Sequence, residues 1–421
     1  MWFYVQHVLV PHQRAEAALH GTPRGNLSDL YPRWLGAREL LLHHRDPYSR
    51  EVTREIQVGY YGRETDSSRP FDPKDQQGFA YPVYVVFLLA PVIGAQFATV
   101  QAGFRWFLFI LTVASPWLWL RALRWRPGPV AEALVLVLTV CSFPGLQGLK
   151  LEQLSLVVSA MIAAVVVLAG GEHLLLAGVL LALATIKPQL VALPVAWLLL
   201  WTVSAWRERQ RFFWGFAATL TLLIGGGQWL LPGWIGRFYA STIAYRQYTG
   251  ATSLLAVLAG NTAGDLLNVL AVAALAWVGW KLRRVSSNSP DFVLVFALSL
   301  AVTLLVIPMT APYNQLLLLP GILLALRSRE TLWVRSLLAR VIVGIAAVLL
   351  GWPWLATTGL MIAAVVLPSS SLQQAWAVPL YTSLAIPLGI AGAVALLLED
   401  HFVPNTPKSA DGAYPVDTAS S

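Results

Sequence analysis

Stretches such as Leu154–Leu168 and Val341–Leu350 are apolar on every side of a helix. A helix of that kind must be surrounded by protein or by lipid. Only 12% of the chain is charged and 57% is hydrophobic, whereas soluble domains carry about 25% charged residues. Several such runs with half the ordinary charge specify a polytopic membrane protein. A closed barrel would alternate apolar and polar residues along each strand. These runs do not, so the expected fold class is all-α.

The pattern predicts spans over Phe104–Leu123, Val130–Gln147, Glu152–Leu168, Leu174–Ile186, Gln189–Val203, Phe212–Leu231, Asp265–Leu282, Phe292–Pro308, Tyr313–Leu326, Val341–Leu367 and Trp376–Leu398. That is about eleven transmembrane helices, several shorter than the ~20 residues of a full crossing. Leu174–Val203 is either a hairpin of two short helices or one kinked crossing, because Lys187-Pro188 breaks the ladder in both cases. Basic clusters lie at Arg121, Arg124 and Arg126, at Arg207, Arg209 and Arg211, at Lys281, Arg283 and Arg284, and at Arg327, Arg329, Arg335 and Arg340. The positive-inside rule assigns all four to the cytoplasm. That requires Leu174–Val203 to cross twice. It also requires Phe79–Ala95, interrupted by Pro82 and Pro91, to lie in the interface.

The chain then divides into four parts. Residues 1–10 read as the remnant of a truncated first membrane helix, without the basic leader or small-residue cleavage site of a signal peptide. Residues 11–103 form a large outer loop with interfacial helices, 104–398 the membrane domain, and 399–421 a polar cytoplasmic tail expected to be disordered. Twenty of the fifty charged residues fall between Pro11 and Gly78, ten of each sign. A chain that only filled a bilayer would not need them. A second outward loop, Pro232–Gly264, carries Arg237, Tyr239, Tyr245, Arg246 and Tyr248.

The net charge of +8 sits in loops that set orientation, so it does not point to nucleic acid. Cys141 is the only cysteine, which excludes an intrachain disulfide. There is no His/Cys cluster with metal-ligand spacing, no Asp-x-Asp, no P-loop and no GxGxxG. Neither a metal nor a cofactor is expected.

Asp29 stands at the start of a helix predicted to run to about Leu42, with Leu30, Trp34, Ala37 and Leu41 on its buried stripe. Two readings remain open for it. It could be an N-cap, or a general base presented above the bilayer, taking the proton of a hydroxyl that becomes a nucleophile. Arg33 and Arg38 follow, and the guanidinium fork suits phosphate. They could equally pair with loop acids such as Glu39. Lys187 is the sharpest signal inside the apolar region, since a mid-bilayer lysine costs about 2.5–3.5 kcal/mol on insertion scales. It either faces a cavity or snorkels. Lys150, Glu152, Gln153 and Ser155 occupy the outer end of a hairpin, and Pro312-Tyr313-Asn314-Gln315 opens a helix at the same face.

Taken in order, these motifs resemble glycosyltransferase family 87, bacterial membrane mannosyltransferases of the GT-C superfamily. The residues that carry the resemblance are Asp29-Leu30-Tyr31, Ala37–Leu41, Asp46-Pro47-Tyr48, Phe79–Pro82, Glu152-Gln153-Leu154-Ser155, Ala184–Pro188 and Ala311–Gln315. At Glu152 the family tends to have glycine. The resemblance implies a GT-C-type fold with a cavity open to the outer leaflet. It implies a polyprenyl-phosphate-linked sugar donor, typically mannose, and a glycan or glycolipid acceptor. On this basis Asp29 is the expected catalytic base. Tyr31, Arg33, Arg38, Lys150, Gln153, Lys187, Tyr313 and Asn314 are the expected substrate-binding residues. The expected setting is a bacterial inner membrane, with lipids as neighbours and the site on the outer face. The alternative is a polytopic transporter or lipid flippase without glycosyl transfer, which would show paired repeats and matched intramembrane charges. No repeat of fixed period is present.

Overall fold

The computed structural model describes residues 1–20, 28–66, 68–70, 72–308 and 311–399. Among them every regular element is helical. The expected tail beyond Glu399 lies outside the described residues.

α1 (Trp2–Tyr4) continues through a π turn, Val5–Leu9, into α2 (Val10–Leu19). The π turn opens the hydrogen-bond ladder just before Pro11, which cannot donate to it. Tyr4, Val5, Val8 and Leu9 pack against Phe143, Leu360 and Leu372, and the Tyr4 hydroxyl donates to the Trp376 carbonyl at 2.5 Å.

α3 (Leu30–His43) and α4 (Arg50–Tyr61) pack on one another outside the apolar bundle. Ser49 caps α4 by accepting from the Val52 N–H at 3.2 Å, and Gly62, at φ +86°, ends it. Gly59 admits Tyr31 against the α4 backbone, since a Cβ there would lie 1.9 Å from the Tyr31 hydroxyl. The buried stripe of α3 is Leu30, Trp34, Ala37 and Leu40. Leu40 replaces the expected Leu41 because α3 also packs sideways on α5 (Val85–Leu89), which turns its buried face. α5 and the 3-10 turn Ala90–Val92 are far short of the ~20 residues a crossing needs.

α6 (Phe97–Ala122) begins before the span expected from Phe104. The span expected over Val130–Gln147 is two helices, α7 (Pro129–Cys141) and α8 (Phe143–Lys150), bent by 50°. Pro144 in the first turn of α8 cannot extend α7, and the Ser142 hydroxyl caps the new start by accepting from the Gly145 N–H. Next come α9 (Leu154–Gly170), α10 (Leu174–Ala184), α11 (Pro188–Ser204) and α12 (Trp206–Leu230). α13 (Trp234–Thr249) and α14 (Leu254–Ala259) fill the second loop expected to face outward, turned 93° from α12. α15 (Asn261–Lys281) and α16 (Pro290–Val306) return to the bundle.

The segment expected as a span over Tyr313–Leu326 opens as a 3-10 turn, Pro312–Leu318, before α17 (Leu319–Arg327). Pro320 starts that helix but could not sit inside one. α18 (Arg329–Arg335), α19 (Leu337–Ala363), α20 (Ser369–Gln374) and α21 (Ile386–Glu399) complete the chain. The last is shorter than the expected Trp376–Leu398, because Pro379 lies in a separate 3-10 turn. α6, α15 and α19 are each long and apolar enough to cross a membrane alone; α9, α10, α11, α16 and α21 are apolar but shorter.

α10 and α12 cross backbone to backbone. A Cβ at Gly178 would lie 2.1 Å from the Phe212 carbonyl oxygen, and one at Gly215 would lie 2.2 Å from that of Leu175. Small residues at such crossings let helices approach where lipid supplies no hydrophobic drive. At one end of the bundle, cations tie the connecting turns together. The Arg209 guanidinium donates to the carbonyls of Trp201, Arg283, Arg284 and Val285, and Arg327 donates to that of Leu123 at 2.6 Å. Ser204, at the end of α11, bonds the Arg283 carbonyl there, whereas Lys187, before its start, bonds Gln153 at the far end. α11 therefore runs from one end of the bundle to the other.

Candidate active site

Asp29 is brought to the bundle by its backbone, which donates to the Leu151 carbonyl at 3.0 Å. Its φ and ψ are already helical and its carboxylate makes no cap bond. The carboxylate instead accepts from the Gln153 side-chain amide and from the Tyr60 hydroxyl, the latter at 3.3 Å. The N-cap reading therefore accounts for its backbone and not for its side chain.

The partner on the bundle side is a break between helices. α10 ends at Ala184, and Pro188 opens α11 without needing an N–H partner. Lys187 falls in the gap with φ −122° and ψ 77°, and its side chain is 4% exposed. Its ammonium donates to Gln153 Oε1 at 2.8 Å and to Ser155 Oγ at 2.7 Å. The Gln153 amide is thus oriented by both neighbours, its oxygen to the lysine and its NH₂ to Asp29. The Ser155 hydroxyl in turn donates to Asn314 Oδ1 at 2.6 Å. The rings of Tyr313 and Tyr81 lie 5.2 and 5.8 Å from the ammonium.

Asp29, Arg33, Asp75, Tyr81, Lys187 and Tyr313 line one cavity of about 310 Å³. Arg33 shares the α3 face of Asp29, one turn on, and its guanidinium lies 4.2 Å over the Tyr81 ring. Its Nε and Nη1 are buried and have no hydrogen-bond partner. Such orphaned donors are costly unless a ligand completes them. Burial raises the Asp29 carboxyl above its ordinary range, opposed by the charges of Arg33 and Lys187 and by the Tyr60 and Gln153 bonds. Burial likewise raises Asp75 to about 6.

Three expected site residues lie elsewhere. Arg38 donates to the Ile93 carbonyl at 3.2 Å and lies 5.5 Å over Trp34. Tyr31 packs edge-on against Phe97 at 4.9 Å. Lys150 donates to Gln13 at 2.7 Å and lines a separate groove with Arg105 and Trp106. Conversely, Tyr60, Asp75 and Gln77 were not singled out from the sequence. Asp75 is one of ten acids in a charge-rich loop, and nothing local distinguishes it.

A sequence model of glycosyltransferase family 87 matches residues 79–308, more than half of the chain. The chain belongs to glycosyltransferase family 87. No curated protein and no solved structure gives a match. As a membrane glycosyltransferase it takes a donor and an acceptor. The matched range includes Tyr81, Gln153, Ser155 and Lys187, and it begins after Asp29, Arg33 and Asp75. Glu152 adopts φ +54°, a left-handed backbone that glycine enters freely and other residues enter at about 1–2 kcal/mol. Its buried carboxylate accepts from Arg105 Nε at 2.7 Å, which holds the strained turn that aims Gln153 at Asp29.

Proposed function

We propose that the cavity transfers a sugar, with mannose the first candidate, from a polyprenyl phosphate to a glycan or glycolipid, with inversion. The observation that carries this reading is the meeting of the Asp29 carboxylate and its α3 neighbour Arg33 with Lys187, from a segment far along the chain, with the Gln153 amide bridging Asp29 and Lys187. Asp29 takes the proton of the acceptor hydroxyl as that oxygen bonds to the anomeric carbon. The bond from that carbon to the phosphate oxygen breaks on the opposite face, and the lipid phosphate leaves with the electron pair. Arg33, with its two orphaned N–H groups, and Lys187 stabilise the charge on the leaving phosphate. The raised Asp29 carboxyl is a better base than an exposed one.

The basic turns at the end of the bundle away from Lys187 support an outward-facing cavity in a bacterial inner membrane, by the positive-inside rule. A GT-C-type arrangement of about eleven spans, with the polyprenyl tail in the bilayer, is part of this reading. The test is Asp29→Asn in reconstituted membranes with polyprenyl-phosphate sugars. We expect transfer to fall by about 10²–10⁴-fold with the protein still folded. Near-normal turnover in that variant would remove Asp29 from the base role.

A further inference from the structure

Asp75 and Gln77 line the cavity but take no part in the step above. They belong to an irregular segment whose carbonyls are held one after another by side chains from elsewhere. The Tyr61 hydroxyl donates to Asp75 O at 2.7 Å, Gln57 to Gln76 O at 3.0 Å, Ser241 to Phe79 O at 3.2 Å and Tyr48 to Tyr81 O at 2.5 Å. Gln77 itself is held at φ +52°. Strain of this kind persists only where the surroundings over-determine it, and it clusters at ligand sites. The segment is therefore a built wall.

The Asp75 carboxylate accepts from the Gln77 N–H at 2.9 Å and from the Gln77 side-chain amide at 3.1 Å. Among the described residues no cation forms an ion pair with it. A carboxylate offers about four lone-pair positions, so two remain. An acceptor-only group of this charge repels phosphate and seeks neutral donors, which in a glycosyl-transfer site are sugar hydroxyls. Its place in the cavity indicates which sugar. Asp29 and Arg33, both on the α3 side of the cavity, act electrostatically on Asp75, and all three line the cavity that Lys187 also lines. A ring whose hydroxyls bond to Asp75 therefore sits beside Asp29. The group whose proton Asp29 takes is on the acceptor.

We propose that Asp75 is the acceptor-binding carboxylate, and that the acceptor presents a neutral sugar ring whose hydroxyls hydrogen-bond to it beside Asp29. This rests on reading the cavity as a glycosyl-transfer site. Tyr245 and Thr242 of α13 line the same cavity and offer a ring and a hydroxyl to that sugar.

The experiment uses the full chain in lipid nanodiscs with polyprenyl-phosphate hexoses and pentoses as donors. Octyl glycosides, their monodeoxy analogues, octanol and a Ser/Thr peptide serve as acceptors. For the wild type, one octyl glycoside is used and removal of one ring hydroxyl raises its KM by about tenfold or more, as for a hydrogen bond to a charged group. In Asp75→Asn the acceptor KM rises by about tenfold or more, the donor KM changes less than about twofold, and the deoxy penalty shrinks below about threefold. An unchanged acceptor KM, a deoxy penalty that persists, a raised donor KM instead, or preference for octanol or the peptide overturns the proposal. Release of polyprenyl phosphate by the wild type, lost in Asp29→Asn, checks the underlying reading separately. If release occurs and Asp75→Asn behaves as wild type, only the acceptor proposal falls; if no donor is cleaved, both fall.

Discussion

The wall of the cavity that carries Lys187 and Tyr313, with Gln153 bonded to the lysine, is made of helix ends, whereas the wall that carries Asp75 and Gln77 has no regular structure. On the first, the helix break at Lys187-Pro188 leaves polar side chains buried, and they satisfy each other: Lys187 to Gln153 and Ser155, Ser155 to Asn314. On the second, the backbone carbonyls are satisfied by tyrosines, glutamine and serine reaching in from α4, α13 and the loop after α3. The first wall is rigid because it is part of the bundle. The second is rigid only while its four side-chain ties hold. Rigid charge suits the phosphate end of a transfer site, where preorganisation is worth most. A tied segment can vary its residues without disturbing the bundle, which suits recognition.

That contrast can be broken most sharply at Lys187. Lys187→Met should lower turnover by about 10²-fold or more through loss of leaving-group stabilisation, measured with saturating acceptor. An unchanged kcat would leave the helix-end wall without a chemical role. On the tied wall, Tyr48→Phe removes the bond to the Tyr81 carbonyl. It should raise acceptor KM by about three- to tenfold while kcat changes little, since one hydrogen bond contributes about 1 kcal/mol. If kcat falls as far as in Lys187→Met, the two walls act as one unit.

A smaller effect concerns stability. Asp75 is held at about 6, above its ordinary value, because burial disfavours the charged form. The folded state therefore binds that proton more tightly than the unfolded state. Stability falls as pH rises from about 4 to about 6 and stays lower above that. The groups that face Asp75 are Asp29 and Arg33 from α3, Tyr61 from α4, and Tyr245 and Tyr248 from α13. Asp75→Asn should raise Tm above pH 6 and leave it unchanged near pH 4. An equal shift at both pH values would mean that charge burial is not the cause. The smallest effects are expected from Arg38→Gln and Lys150→Met, whose groups bond the Ile93 carbonyl and Gln13 outside the cavity. Each should change kcat/KM by less than about threefold, as surface-type substitutions do. A larger loss from either would extend the site beyond the cavity described.

The all-helical class and the break at Lys187-Pro188 were legible beforehand; the sequence left open whether Leu174–Val203 was a hairpin of two short helices or one kinked crossing, and the chain forms α10 and α11 on either side of the break. Each depends on a local penalty. A lysine among apolar residues and a proline inside an apolar run are expensive wherever they occur, so their positions carry information without a fold. Helix ends were less legible: the bend at Ser142 and the late start of α21 depend on which turn around each proline the neighbouring helices support.

The sequence by itself determined that this chain fills a membrane, that Lys187 is its anomalous charge, and that its motifs follow the order of family 87. Only the tertiary structure decided that Arg33 faces the cavity while Arg38 does not. The two are five residues apart and so point about 140° apart on α3, and packing on α4 and α5 sets which face turns inward. The same holds for Asp75, one acid among ten in its loop. Its place beside Asp29 comes from tyrosines and amides that grip its backbone from distant segments, a long-range arrangement that leaves no local trace in the chain.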